Sequence, residues 1–462
     1  MVINKKKVFV LGLDSVPPEL LFERWLNHLP NIQRLINKGK YGEMKSTIPA
    51  ITCPAWMSMM TSANPGRLGI YGFRNRTGYD YEGLSFANSK TVAVDTVWNI
   101  LSGLGKKVVV IGVPLTYPPQ PVNGCMVTCF LTPDTKGEYT YPPGLKAEVE
   151  AVSNGYILDV DEFRSDNKES ILKNIYTMTE KRFRLARHFI RSKEWDFFMM
   201  VEMGPDRIHH AFWRYFDQEH PKYVPGSKFQ DAVLNYYKYL DKEIGETFRL
   251  INEDTMALIV SDHGAGKMMG GICINEWLIQ NGYLKLVHYP AESTPFNKLI
   301  VDWENTRVWA EGGYYGRVFM NVRGREPKGV IASQHYEHVR NELIKKLEDL
   351  RDEKGNGINT KVFKPEDIYS VCNGVPPDLI VYYGDLLWRS IGSVGNRSIW
   401  ASENDTGPDD ANHSQYGIFI MQNEEGSDGK RLQGVTLYDI APTILDYLGV
   451  KVPEDMEGKV IT

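Results

Sequence analysis

KVFVLGLD, residues 7–14, is a continuous apolar run that ends in a carboxylate. Its length and its Val/Leu content predict a strand buried on both faces of a parallel sheet. Three further stretches read the same way: KKVVVIGVP (106–114), WDFFMMVEM (195–203) and TMALIVSDHG (255–264). Helical patterns lie between them, at 30–39, 91–105, 168–193 and around 234–250. Strands that alternate with helices imply an α/β fold, a doubly wound and mainly parallel sheet with helices on both faces. YGIFIMQ (416–422) adds a late strand, and LYDIAPTILDYLG (437–449) a closing helix ended by Gly449.

The chain has 462 residues, too many for one small core. Residues 270–405 differ in character from the rest. They hold aromatic-rich, strand-like pieces such as RVWAEGGYYGRVFMNV, and one amphipathic helix with Val339, Leu343, Leu347 and Leu350 on a single face. The expected organisation is a catalytic core of residues 1–269 and 406–462, interrupted by an inserted cap at 270–405. Residues 115–165, rich in Pro, Gly and Thr, read as a long surface excursion.

Composition narrows the function classes. Apolar residues make up 42% and charged residues 24%, ordinary values for a globular protein. The net charge of −5 gives no basic face for a nucleic-acid polymer. The five cysteines are odd in number and form no CxxC, which argues against a disulfide framework or a structural zinc site. Reduced thiols, together with an N-terminus lacking a secretory pattern, set the cytoplasm as the expected compartment. No apolar run approaches ~20 residues, so no membrane span is expected.

TIPAITCPAWMSMMTSANPGRLGIYGF, residues 47–73, breaks this regular alternation. Pro49 and Pro54 bracket Thr52, and an apolar helical run follows. Proline is tolerated in a helix's first turn, so Thr52 is expected at a strand-to-helix corner in the N-cap position. The free amides of that turn, that of Cys53 included, would face one space, where an anion binds readily. Taken alone, Thr52 reads as a simple N-cap, as most Thr-x-Pro sequences do. No immediate neighbour of Thr52 is charged; Arg67 and Arg74 are the nearest basic residues downstream.

Asp14, Asp206 and Asp262 fall at or just past the ends of expected strands, where ligands bind in parallel α/β sheets. Asp206 and His210 are four apart and share a face if that segment is helical. Asp262 and His263 are adjacent, and Gly264 would permit the turn that lets both face one site. His413 stands in a polar stretch before YGIFIMQ, and Asp409 and Asp410 read as residues that merely solvate that loop. Three carboxylates and three imidazoles suit Zn²⁺, and Mn²⁺ less strongly. Six ligands exceed one tetrahedral ion and fit two ions ~4 Å apart. Each residue alone also has a plain structural reading, as a helix cap or a buried histidine.

In order, these residues resemble the alkaline phosphatase superfamily, most closely its type I phosphodiesterase/nucleotide pyrophosphatase branch. The shared pattern is Asp after the first strand, a proline-flanked Thr, Asp-x-x-x-His, Asp-His-Gly and a late His. Here it reads Asp14, P49-A-I-T52-C-P54, D206-R-I-H-H210, D262-H263-G264 and His413. The resemblance implies that Asp206, His210 and His413 hold one zinc. Asp14, Asp262 and His263 would hold the second, with Thr52 bound to it as the nucleophile. It implies hydrolysis of phosphodiester or nucleotide pyrophosphate bonds in a small-molecule phosphate ester through a phospho-threonine. The Cys53 amide would meet a phosphoryl oxygen, and Trp56, Tyr71 and Phe73 are candidates for an apolar wall against the substrate. Ala55 stands where nucleotide pyrophosphatases commonly carry Asn, so the pocket departs from the usual nucleotide one. A phosphomonoesterase or a cofactor-independent phosphoglycerate mutase of the same superfamily is the alternative. The mutases share a segment like 437–449 but use Ser and place the last His sooner after Asp-His. A non-catalytic metal- or nucleotide-binding α/β protein is the alternative of another class. Thr52 argues against it, and no GxGxxG follows the first strand. Oligomeric state is left open.

Overall fold

The computed structural model describes residues 6–422 and 429–462. The strands that position the site are, in chain order, β1 (Lys7–Leu13), β2 (Lys40–Lys45), β3 (Val108–Ile111), β4 (Gly124–Val127), β5 (Phe197–Glu202), β6 (Thr255–Val260), β7 (Gly264–Lys267), β8 (Ala411–Ser414) and β9 (Tyr416–Gln422). β1 is buried from Val8 onward. It lies between β5 and β6, paired in parallel with both. Among the described residues the central sheet has ten strands and contains the order β2-β9-β6-β1-β5-β3-β4. β9 runs antiparallel to β2 and β6, so the sheet is mixed at that edge. Val, Ile, Phe and Met fill the strand interiors, the residue types that suit a pleat covered on both faces.

Three local readings are corrected. The stretch 115–165 is not a pure surface excursion, because β4 joins the central sheet beside β3 and Leu145–Ser153 is a helix. The helix expected over 91–105 begins only at Val97, where Thr96 and Asn99 form a reciprocal capping box. The closing helix spans Ile440–Tyr447, preceded by one tighter turn.

Residues 270–405 contain an antiparallel sheet of four strands. Val308–Glu311 pairs with Gly316–Met320, which pairs with Leu379–Tyr382, which pairs with Lys361–Phe363. The helix Tyr336–Glu348 packs Val339, Leu343 and Leu347 into a hydrophobic cluster with Val308, Phe319 and Val381. A smaller cluster of Ala50, Ile51, Tyr71, Tyr315, Tyr369 and Tyr382 joins this region to the loop before Thr52. Among the described residues, no helix is long and apolar enough to cross a membrane.

Candidate metal and nucleophile site

Thr52 is the first residue of α1 (Thr52–Thr61), one position further in than expected. Ile51 occupies the cap position and no side chain caps the helix. The Thr52 hydroxyl instead lies 3.2 Å from Nε2 of His263. Trp56 fixes this arrangement from one turn on. Its ring lies against Gly12 of β1, where a Cβ would come within 2.4 Å of it. Its Nε1–H donates to Oδ2 of Asp14 at 2.8 Å. One indole thus seats the helix that carries Thr52 on the strand that delivers Asp14.

Asp14, Asp262 and His263 form the first trio, with ligand atoms within 4.8 Å of one another. The Nδ1–H of His263 donates to the Gly264 carbonyl at 3.0 Å, which leaves Nε2 with a lone pair. Nε2 stands 3.2 Å from Oδ2 of Asp262 and 3.7 Å from Oδ1 of Asp14. Burial pushes the imidazole down to about 4, so it is neutral at physiological pH. Gly264 serves here as a point of close approach rather than as a turn. It opens β7, and a Cβ there would lie 2.2 Å from the Tyr416 carbonyl oxygen.

Asp206, His210 and His413 form the second trio, also within 4.8 Å. Asp206 and His210 share one face of α2 (Gly204–Phe216), with Nε2 of His210 3.2 Å from Oδ1 of Asp206. His413 is not in a polar loop. It is buried on β8, which pairs with β7, so Ala265 lies opposite it. Its Nδ1–H donates to the Ala50 carbonyl at 3.1 Å and its Nε2 stands 3.9 Å from Oδ1 of Asp206. The rings of Tyr314, His413 and His263 stack in sequence, with centroids 4.0 and 3.8 Å apart. That stack bridges the two trios.

The donor set fits divalent cations. Asp14 Oδ1, Asp206 Oδ1 and Asp262 Oδ2 are buried and have no hydrogen-bond partner. Buried acceptors are ordinarily satisfied, and buried charge is ordinarily paired or metal-bound. Burial, and then neighbouring carboxylates, push Asp14 and Asp262 well above the usual carboxylate range. Asp206 is held well below that range by His210 and Arg207, against the effect of its own burial.

Asp409 is the site residue that sequence reading missed. It does not solvate a loop; it is buried, with Oδ1 2.7 Å from Nδ1 of His210 and Oδ2 3.0 Å from Nε of Arg164. A carboxylate behind a ligating imidazole fixes its tautomer and raises its basicity. Asp409→Asn is therefore expected to weaken divalent-cation binding at the Asp206 trio by about tenfold or more. Competitive chelator titration measures this, and unchanged affinity would remove Asp409 from the site. Asp410 is likewise buried and pairs with Arg214.

A cavity of about 970 Å³ opens beside Thr52, Asp206 and His413. Phe73 lines it, together with Phe130, Phe163 and Trp303. The other wall candidates stand elsewhere. Trp56 is buried against Gly12, and Tyr71 is buried with its hydroxyl donating to the Asn373 carbonyl. The Cys53 side chain is fully buried, and burial pushes its thiol up. Its amide lies in the first turn of α1, where helix geometry supplies no partner. The expectation of few basic groups is also corrected. Arg67 is engaged with Asp455, but Arg74, Arg164, Arg207, Arg317 and Arg389 all reach the cavity.

The solved structures similar to this chain include human ectonucleotide pyrophosphatase/phosphodiesterase 5, at 12% identity and a TM-score of 0.57, covering 97% of this chain and 96% of that one. The murine form, in an inactive variant in complex with AMP, matches at 12% identity and a TM-score of 0.56, covering 97% of each chain. At that identity the likeness establishes the fold. No curated protein matches the chain in sequence. Residues 8–409 match the family described as type I phosphodiesterase/nucleotide pyrophosphatase. The chain is therefore a member of the type I phosphodiesterase/nucleotide pyrophosphatase family of hydrolases, within the alkaline phosphatase superfamily.

Proposed function

We propose that the protein hydrolyses small-molecule phosphodiester or nucleotide pyrophosphate-type bonds, with Thr52 as nucleophile between two zinc-binding trios. The observation that carries this reading is the Thr52 hydroxyl, 3.2 Å from a neutral imidazole and at the mouth of a helix. It faces three buried carboxylates, each with one oxygen that accepts no hydrogen bond. Asp206, His210 and His413 would hold one ion, and Asp14, Asp262, His263 and Thr52 the other. Bound zinc would lower the pKa of a coordinated hydroxyl and neutralise charge on a phosphoryl group. Thr52 Oγ1 would form a bond to phosphorus as the P–O bond to the alcohol or phosphate breaks, the hydroxyl proton ending on that leaving group. Water would then hydrolyse the phospho-threonine to free the phosphoryl product and restore Thr52. The first-turn amide of Cys53 is placed to meet a phosphoryl oxygen. Mn²⁺ is the second choice of metal.

Residues 270–405 act in this reading as the cap that sets specificity, since Trp303, Tyr314 and Arg317 reach the cavity from there. The AMP held by the murine relative supports a nucleotide among the substrates. All five thiols are free, which supports a reducing compartment.

The test is a rate comparison on zinc-loaded protein between bis(p-nitrophenyl) phosphate and p-nitrophenyl phosphate. The diester is expected to lead in kcat/KM by at least about tenfold, or ~1.4 kcal/mol. Equal or reversed rates would point to a phosphomonoesterase or mutase.

A further inference from the structure

Most of the cavity's guanidinium groups are already committed. Arg207 pairs with Asp159 and Asp206, while Arg164 and Arg389 share Asp409. Arg317 is different. It is 7% exposed, in the strand Gly316–Met320, and lines the cavity that contains Thr52. No carboxylate lies within 4 Å of it among the described residues. Its cross-strand neighbour Glu311 also reaches the cavity without pairing to it. Among the described residues, its side chain makes one hydrogen bond, from Nη1 to the Arg74 carbonyl. Arg74 carries a second cation to the exposed rim of the same cavity.

A buried charge is normally paired, because desolvation is expensive and water cannot compensate. Of the other acids lining the cavity, Glu82 and Asp405 are exposed and Glu311 is half-buried, and among the described residues none of the three pairs with Arg317. A buried guanidinium without an anion is instead complementary to an anionic group that enters with a ligand. Arg is also the side chain whose planar fork best matches phosphate or carboxylate oxygens.

We propose that Arg317 is a specificity-determining residue that binds a second anionic group of the substrate, apart from the phosphoryl group attacked by Thr52. This deepens the phosphodiesterase reading and rests on it. The substrate class becomes phosphate esters that carry a further phosphate or carboxylate, such as a nucleoside diphosphate or a nucleoside bisphosphate. A diester with no further anionic group would leave Arg317 unpaired.

Calorimetry on zinc-loaded Thr52→Ala protein, which prevents turnover, tests this with AMP, ADP and adenosine 3′,5′-bisphosphate. At least one of the two bisphosphorylated ligands is expected to bind tenfold or more tighter than AMP. Adding Arg317→Met is expected to erase that gain and leave AMP affinity within about threefold. Arg317→Lys keeps the charge and is expected to retain part of the gain, which separates ligand binding from damage to the strand. The proposal is overturned if neither ligand gains over AMP, if the gain survives Arg317→Met, or if all three affinities fall together. Hydrolysis of bis(p-nitrophenyl) phosphate by protein with Thr52 intact reports separately on the diesterase reading.

Discussion

Thr52→Ala is expected to lower kcat on a diester by about a thousandfold or more, equivalent to ~4 kcal/mol of transition-state stabilisation. The substitution removes one hydroxyl from a buried site and touches neither the Asp14 nor the Asp206 carboxylate. In the two-metal reading proposed above, both ions should therefore remain largely bound, and metal analysis of the variant checks that. The helix should persist as well, since the Thr52 side chain does not cap it. Thr52→Ser restores an oxygen at the same position and should recover a measurable fraction of the rate. Wild-type kcat in Thr52→Ala would show that another group attacks phosphorus.

Stripping the metal is expected to abolish activity and to lower the thermal midpoint, with a larger drop at pH 8 than at pH 5.5. Asp14 and Asp262 have folded pKa values raised by burial, and Asp409 leads the charges that raise that of His210. Groups raised in the folded state stabilise it at low pH and lose that contribution as pH rises through the folded value. All three therefore make the metal-free protein weaker toward alkaline pH. His263, pushed down to about 4, and His413, also pushed down by burial, weaken the fold below the ordinary imidazole value, but they are neutral in the folded protein with or without metal and so drop out of the difference. Asp206 is lowered, so its contribution is complete above the ordinary carboxylate range and stays constant here. Bound cations remove the penalty of the ionised carboxylates and hold the folded state by mass action. Scanning calorimetry with and without chelator at the two pH values measures the difference. An equal drop at both would mean that these carboxylates do not control metal-free stability.

The strands of the core were legible because a doubly covered strand must be apolar throughout, as Val8–Leu13 and Phe197–Val201 are. The grouping of three Asp and three His into two buried trios was legible because Asp and His at strand ends have few structural reasons to occur in that order. Side-chain direction was not. Trp56 has a composition equally suited to a pocket wall or a core. Only the absence of a Cβ at Gly12 decides that its ring lies against the strand. Asp409 and Asp410 looked solvated because neighbouring polar residues are usually exposed, yet long-range partners, His210 and Arg214, draw both inside. Arginines also escaped notice, since Arg164, Arg207, Arg317 and Arg389 are far apart in sequence and meet only in the folded cavity.

Ala50 carries no chemistry of its own, but both of its backbone groups are held. Its N–H donates to the hydroxyl of Tyr382 at 2.8 Å, and its carbonyl accepts from His413 at 3.1 Å. Two residues upstream, the Ile48 carbonyl accepts from the hydroxyl of Tyr369. The loop that aims Thr52 is thus moored to residues 270–405 as much as to the core. A protein engineer could not exchange this region for that of a relative as an independent module, however well the junctions were matched. Any graft would have to bring tyrosines that reach Ile48 and Ala50, or the loop before Thr52 would lose its mooring.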